Sequence, residues 1–321
     1  MEKAKNIVTR GKRMKLLSVI VPCYNEEENI ALFYETLMEN AVFIGNGLDL
    51  ELLYIDDGSE DHTADEVKKI AKTDSRVHLI SFSRNFGKEA ALFAGFEKAK
   101  GDYVVCMDVD LQDPPELLPE MLGYIKAGYD MVATRRVDRK GEPPVRSFLA
   151  RGFYKIMSKI SKIEIVDGAR DYRLMTRKAA DAVLDVREYN RFTKGIFGWI
   201  GFRVKWIEFE NVERRKGETK WSFWKLFMYS LEGITSFSTL PLAFAAFIGI
   251  VFCMFSFGLI VFTIIRKIIF GDPTYGWPSL VCIISLVSGV QLFCLGIVGQ
   301  YLAKTYLEVK RRPVYLKEEE I

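Results

Sequence analysis

Cysteine is scarce in this chain: five residues in 321, none at the spacing of a metal site. Cys23, Cys106, Cys253, Cys282 and Cys294 each lie in or beside an apolar run. They read as reduced packing residues, which argues against a disulfide framework and suits a cytoplasmic compartment. An excess of one charge is also missing. Forty-five Lys and Arg against 42 Asp and Glu leave +3, so no global field points to nucleic acid. No Gly-x-Gly-x-x-Gly follows the first apolar strand, against a dinucleotide cofactor of the dehydrogenase kind. No Gly-x-x-x-x-Gly-Lys-Ser is present, which excludes a P-loop nucleotidase. Repeats and low-complexity segments are absent. A signal peptide is not expected, because Leu16 to Pro22 is too short and runs into polar residues.

Charge is missing altogether from two stretches. Gly233 to Ile265 gives 33 uncharged residues and Pro273 to Ala303 gives 31. Each exceeds the ~20 residues that cross a bilayer as a helix. A pair of buried core helices is the alternative, but two such runs in tandem are rare in soluble domains. The flanks set an expected orientation. Arg214, Arg215, Lys216, Lys220 and Lys225 precede the first run, and Lys304, Lys310, Arg311, Arg312 and Lys317 follow the second. The connecting loop carries only Arg266 and Lys267 against Asp272. Positive residues favour the cytoplasmic side, so both termini are expected inside and the hairpin tip outside. Tyr275 and Trp277 are placed as interfacial anchors.

The first 230 or so residues alternate strand and helix patterns. Leu17–Val21, Leu50–Ile55, Val77–Ser81, Tyr103–Met107 and Met131–Ala133 read as strands. Glu26–Ala41, Thr63–Ala71 and Lys88–Lys98 read as helices between them. Strands separated by helices imply right-handed crossovers and a mostly parallel, Rossmann-like α/β sheet. Ligands of such sheets bind beyond the carboxyl ends of the strands. Those ends hold the unusual residues: Pro22-Cys23-Tyr24-Asn25-Glu26, Ile55-Asp56-Asp57-Gly58-Ser59, and Asp108-Val109-Asp110. Two Asp at i and i+2 on extended backbone project to one side and can hold a hard divalent cation against a diphosphate. Tyr24 can stack on a base, and Asp57 can accept from a base or ribose. Together these describe a nucleotide-sugar site. Singly, each residue has a plainer reading: a solvated acidic turn for the Asp pair, or helix capping for Asn25 and Asp61.

Val21-Pro22-Cys23-Tyr24-Asn25-Glu26, Ile55-Asp56-Asp57-Gly58-Ser59, Arg84-Asn85-Phe86-Gly87-Lys88 and Asp108-Val109-Asp110-Leu111-Gln112-Asp113-Pro114-Pro115 resemble the motifs of family 2 glycosyltransferases. More closely, they resemble the polyprenyl-phosphate glycosyltransferases, which include dolichyl-phosphate mannose synthases and bactoprenol glucosyltransferases. The likeness continues through Gly168 to Leu174, Arg214 to Lys220, and Gly299-Gln300-Tyr301-Leu302. The two-span tail resembles the bactoprenol branch. Val109 stands where that family commonly has Ala, and Gln300 where the branch usually has Glu.

The resemblance implies a GT-A fold, an inverting transfer and a homo-oligomer. It assigns Pro22, Tyr24, Glu26, Ile55 and Asp57 to the nucleoside, with Asp108 and Val109 also against the donor. Asp108, Asp110 and Gln112 would surround Mg²⁺ or Mn²⁺. Arg135 would face the donor, and Arg214 and Lys220 would close on the diphosphate from a loop that Gly217 lets bend. Cations there stabilise the departing nucleoside diphosphate. The plainer reading of that loop is a basic stretch that binds lipid headgroups. Asp171 is the implied general base. A lipid phosphate, with a second pKa near ~6, is already mostly an anion, so Asp171 is expected to position Arg173 or the acceptor instead. An acidic turn residue paired with Arg170 is the alternative.

The expected organisation is a basic N-terminal tail (1–15), a GT-A domain (16–220), a juxtamembrane amphipathic helix (221–238), a transmembrane hairpin (239–304) and a basic cytoplasmic tail (305–321). Val145 to Ile163 carries Arg151, Lys155, Lys159 and Lys162 on one helical face and Leu149, Phe153, Ile156 and Ile160 on another. That suits the headgroup layer or a surface helix of the head. The expected activity is transfer of a hexose, with glucose from UDP-glucose favoured, to undecaprenyl or another polyprenyl phosphate at the cytoplasmic face. GDP-mannose with a dolichyl-type lipid and UDP-GlcNAc are rival donors. A membrane adaptor that only senses nucleotide sugar is the rival outside enzymes. A processive synthase would carry more spans and Gln-x-x-Arg-Trp, which is absent. Expected partners are the UDP- or GDP-sugar, the lipid phosphate and membrane lipids, with no nucleic acid.

Overall fold

The structure is a computed structural model. It describes residues 14–41, 47–137, 168–210, 238–270 and 276–321, together with Val166 and Thr235. The chain forms two compact units, Met1–Leu226 with Pro313–Ile321, and Phe227–Arg312.

The first unit is built on a sheet of eight strands. In chain order these are β1 (Lys15–Cys23), β2 (Leu48–Asp56), β3 (Val77–Phe82), β4 (Tyr103–Cys106), β5 (Met131–Arg136), β6 (Ala169–Thr176), β7 (Val204–Phe209) and β8 (Lys317–Glu320). Their spatial order is β7-β5-β6-β4-β1-β2-β3-β8. β1, β2, β3 and β4 run parallel, and β5 pairs parallel with β7. β6 enters antiparallel between β4 and β5, and β8 lies antiparallel on the β3 edge.

The central strands are covered on both faces, which is why β1 and β2 read as apolar runs rather than alternations. Helix α1 (Glu27–Asn40) lays Ile30, Phe33 and Leu37 into the core with Val19, Val21, Leu52 and Tyr54. Helix α2 (Thr63–Ala71) adds Val67. Helix α3 (Lys88–Lys98) is buried nearly all round, and a Cβ on its Gly95 would stand 2.2 Å from Ile20 Cγ2. Glycine there lets the helix press onto β1. Helices α4 (Leu118–Lys126), α5 (Arg177–Asp185) and α6 (Thr193–Trp199) complete the described α-helices of this unit, and a 3-10 turn at Pro115–Leu117 leads into α4.

The chain steps outward from β1 to β2 and β3, then returns to the other side of β1 with β4. The switch point of the sheet therefore lies between β1 and β4, where an open α/β sheet offers a crevice at its carboxyl end.

The second unit contains α7 (Leu240–Phe270) and α8 (Trp277–Lys310). Leu240–Arg266 and Leu286–Lys310 are long and apolar enough to cross a membrane. Phe247, Met254 and Leu292 point outward and are more than half exposed, unlike the apolar stripe of a soluble core helix. The sequence places the tail at 305–321, but α8 continues to Lys310 and the residues from Pro313 rejoin the first unit. Of the expected juxtamembrane helix (221–238) only Thr235 and Ser238 are described, and the 145–163 helix lies outside the described residues.

Candidate active site

Three loops meet at the switch point. The first leaves β1 through Tyr24 and Asn25, the latter in the left-handed region at φ 52°. Asn25 N–H donates to Ser59 Oγ at 2.9 Å, and Glu60 N–H returns to Asn25 Oδ1 at 2.8 Å. Glu26 N–H donates to Thr63 Oγ1 at 2.8 Å, and the Glu26 carboxylate accepts from Asn29 Nδ2 at 2.6 Å. The β1 loop is thus laced to the β2 loop by bonds between side chains and backbone amides. Pro22 and Ile55 are register partners on β1 and β2, with Ile55 fully buried.

The second loop begins at Asp56 and Asp57, both buried. Asp56 is structural: its carboxylate accepts from Ser59 N–H, the Ser59 hydroxyl and Ser81 Oγ. Asp57 reaches across the sheet end. Its Oδ1 accepts from Phe86 N–H at 2.7 Å and its Oδ2 from Gly87 N–H at 2.9 Å. Burial pushes the Asp57 carboxyl up to about 6 against the downward pull of those amides. Gly58 at φ 69° needs its missing side chain, because a Cβ would stand 2.4 Å from the Arg84 carbonyl carbon.

The third loop carries the Asp pair. Asp108 leaves β4, Val109 turns its side chain into the core, and Leu111 adopts φ 57° to close the turn. Gln112 N–H donates to Asp110 Oδ1 at 3.1 Å, and Gln112 Oε1 accepts from Arg136 at 3.0 Å. Asp113, fully buried, accepts from Asp108 N–H at 3.1 Å and from Arg170 Nε at 3.0 Å. Burial lifts its carboxyl to about 6, with Arg170 pulling the other way.

Lys88, the first residue of α3, joins these loops to β6. Its Nζ stands 2.6 Å from Asp108 Oδ1 and 2.9 Å from Asp171 Oδ2. Arg170 Nη2 stands 3.7 Å from the other Asp108 oxygen. Burial alone would raise the Asp171 pKa. The Lys88 and Lys194 cations outweigh it and hold the group well below the usual carboxylate range. Burial likewise opposes the Lys88 charge, but the Asp108 and Asp171 carboxylates win and raise its pKa. Asp171 therefore pairs with Lys88, while the neighbouring Arg170 pairs with Asp113 and Asp108. Arg173, two positions on from Asp171, stacks its guanidinium over Phe197 and Trp206 at 4.5 and 5.0 Å.

Asp57, Asp108, Asp110, Gln112 and Asp171 thus collect around one end of the sheet. Arg135 is held elsewhere: its guanidinium pairs with Glu208, its register partner on β7. Neighbours on a strand face opposite ways, and it is Arg136 that reaches Gln112. Arg214 and Lys220 lie outside the described residues.

Lys88, Arg136, Arg170 and Asp113 were not singled out from the sequence as site residues. For Lys88 a signal was present. A cation at the first position of a helix opposes the helix dipole, so its placement implies carboxylate partners. The pairing of Asp113 with Arg170 spans 57 positions and has no local signature.

Asp108, Asp110 and Gln112 offer only oxygen donors, the kind a hard cation such as Mg²⁺ or Mn²⁺ takes. No three His, Cys, Asp or Glu side chains converge as a cage among the described residues. A cation held by one or two carboxylates and the phosphates of its ligand needs no such cage, so the donor set fits in kind.

Fold and site together define an open, mainly parallel α/β protein with its charged residues gathered at the switch point. The sequence matches Glycosyl transferase family 2 over residues 18–184. It is 41% identical over 300 residues to the prophage bactoprenol glucosyl transferase homolog of Escherichia coli K12, covering 94% of this chain and 97% of that one. It is equally 41% identical over 300 residues to the bactoprenol glucosyl transferase of Shigella phage SfII, covering 94% and 96%. Among solved structures it is similar to glucosyl-3-phosphoglycerate synthase from Mycobacterium tuberculosis in complex with Mn²⁺, UDP-glucose and phosphoglyceric acid. That match has 20% identity and a TM-score of 0.45, over 69% of this chain and 78% of that one. The chain belongs to Glycosyl transferase family 2. It is a transferase with a GT-A-like α/β fold.

Proposed function

We propose that this protein is an inverting glycosyltransferase that moves glucose from UDP-glucose to undecaprenyl or a related polyprenyl phosphate. The observation that carries the reading is near-full-length similarity to relatives named bactoprenol glucosyl transferase. At 94% of this chain, it is long enough to span the charged cluster and to reach both apolar helices.

In this reading Pro22, Tyr24, Glu26, Ile55 and Asp57 hold the nucleoside, and Asp108 and the Val109 backbone face the donor. Asp108, Asp110 and Gln112 would hold Mg²⁺ or Mn²⁺, which supplies positive charge to the diphosphate as it leaves. Arg214 and Lys220 close on the same diphosphate, and Arg136 supports the turn through Gln112. Arg170 neutralises Asp113 and Asp108, so the turn does not repel the incoming diphosphate.

Asp171 acts by position. A carboxylate held far below neutral pH is always charged but is a poor base, since an effective base has its pKa near the working pH. Lys88 fixes Asp171 and Asp108 to one point, and Asp171 in turn orients the acceptor. The phosphate oxygen attacks as the anion it already is.

The two apolar helices serve as membrane spans, with the head and both termini cytoplasmic. Grouping of Pro313–Ile321 with the first unit supports head and tail lying on one side, because a chain that returns to its head must cross the bilayer an even number of times; the basic flanks assign that side to the cytoplasm. Cysteine placed at Tyr275 should react with an impermeant reagent on intact cells, and cysteine at Glu318 only after permeabilisation. The opposite labelling refutes the orientation.

A donor screen tests the activity. Purified protein, polyprenyl phosphate and Mg²⁺ are given labelled UDP-glucose, UDP-GlcNAc and GDP-mannose in turn. Label from UDP-glucose should enter the lipid phase. Transfer only from GDP-mannose or UDP-GlcNAc would overturn the donor assignment. Binding of a nucleotide sugar without any transfer would favour the adaptor.

A further inference from the structure

The sheet edge nearest the nucleoside loops is completed by the end of the chain. Leu79 and Ile321 exchange both backbone hydrogen bonds, at 3.0 and 2.9 Å, and Ser83 N–H donates to Leu316 O at 3.1 Å. β8 is Lys-Glu-Glu-Glu and exposed throughout, so no apolar burial holds it. Charge does: Glu319 pairs with Lys68 and Glu320 with Lys98, each at 2.6 Å.

One residue of this segment does more than cover the edge. The Tyr315 ring stacks on Phe82 with centroids 4.7 Å apart and planes 22° apart, and its hydroxyl donates to Glu97 at 2.6 Å. Phe82 is buried and meets Phe86 edge-on at 5.8 Å and 87°. The Phe86 and Gly87 amides are the donors that hold Asp57. On the far side, Gly58 sits under the Arg84 backbone too closely to admit a Cβ, and Arg84 stacks over Phe86 at 4.1 Å. The 83–87 loop is therefore gripped between Tyr315 and the Asp57-Gly58 turn.

We propose that Tyr315 is a positioning residue for the sugar-nucleotide donor: by holding Phe82 and Phe86 it sets the amides that aim the Asp57 carboxylate. This rests on the reading of Asp57 as a nucleoside contact. The segment that leaves the membrane hairpin thus finishes the donor site at a distance, without touching the donor.

The test uses the full-length protein and two readouts: UDP-glucose affinity by calorimetry, and amide exchange across residues 83–88 without ligand. An aromatic pair contributes enough to shift such an equilibrium about twofold to tenfold. Tyr315→Ala should weaken UDP-glucose binding by that factor, speed exchange at Phe86 and Gly87, and raise donor KM while kcat stays close to wild type. Tyr315→Phe keeps the ring and should recover most of the affinity and protection. If Tyr315→Ala fails to fold, Tyr315→Leu, which keeps bulk without a ring, carries the same expectation. Exchange at 83–88 that matches wild type, or unchanged UDP-glucose affinity despite faster exchange, would overturn the proposal and leave β8 as an edge cover only. Absence of UDP-glucose binding in the wild type would instead refute the donor reading, and the exchange arm would still report whether Tyr315 holds the loop.

Discussion

Replacing Lys88 by methionine removes one ammonium from between two carboxylates and keeps most of the aliphatic stem. The charge stands 2.6 Å from Asp108 and 2.9 Å from Asp171. Breaking a fully buried pair costs about 3–5 kcal/mol, and an exposed pair contributes about 0.2–1 kcal/mol. Lys88 is 39% exposed and its partners 23% and 17%, so water screens the pair and an intermediate loss of about 2 kcal/mol is expected. For a domain of this size that is a fall of about 4–8 °C in Tm. Lys88 holds both carboxylates below their ordinary range. Their contribution is therefore present above the unfolded carboxylate pKa of ~3.9 and is lost as pH falls through the lower folded values. The stability gap between wild type and Lys88→Met should be full at neutral pH and should narrow under acid. Thermal melts of both proteins across that range measure it. The same loss, if it falls on the transition state, lowers kcat/KM about 30-fold. No gap at neutral pH, or one that widens on acidification, would refute the role given to Lys88.

Asp110→Ala should abolish transfer while circular dichroism and melting stay near wild type, and EDTA should silence the wild type reversibly; substantial turnover in either case would remove the metal role. Asp57, with its carboxyl pushed up to about 6, becomes protonated as pH falls below that value and loses an acceptor. UDP-glucose binding should then weaken by up to about tenfold per pH unit, stay flat on the alkaline side, and show no such slope in Asp57→Asn. Asp171→Asn should lose activity mainly through a higher acceptor KM, with no recovery at high pH. A wild-type kcat that rises through an acidic pKa, absent in the variant at unchanged acceptor KM, would restore Asp171 as the base.

The parallel half of the sheet was legible because strands covered on both faces are apolar along most of their length, as β1 to β4 are. β6 was not, since Arg170-Asp171-Tyr172-Arg173 carries three charges in four residues. Its buried Arg173 is accommodated by the Phe197 and Trp206 rings that stack on it, a contact between separate elements, and by the Arg170 carbonyl its Nε donates to. β8 could not be read at all, because Lys-Glu-Glu-Glu has no strand pattern and depends on Lys68, Lys98 and the β3 edge. The carboxyl-end loops were recognisable from Asp57 and Asp108 to Asp110 as unusual residues at strand ends. Their pairings were not recognisable: Lys88 meets Asp108 from 20 positions away, and Arg135 turns to Glu208 on β7 while Arg136 takes the site-facing position. Pairing at that range is decided by strand order and register, which local pattern does not report.

In the proposed reaction a glycosyl group, and not a sugar phosphate, passes to a lipid phosphate. UDP-glucose labelled with ¹⁴C in the sugar and ³²P in the β-phosphate separates the two directly. Incubated with the purified protein, Mg²⁺ and polyprenyl phosphate, it should send ¹⁴C into the organic phase and leave ³²P in water as UDP. Both labels in the lipid would mean phosphosugar transfer with UMP released, and neither label in the lipid would mean that the lipid phosphate is not the acceptor.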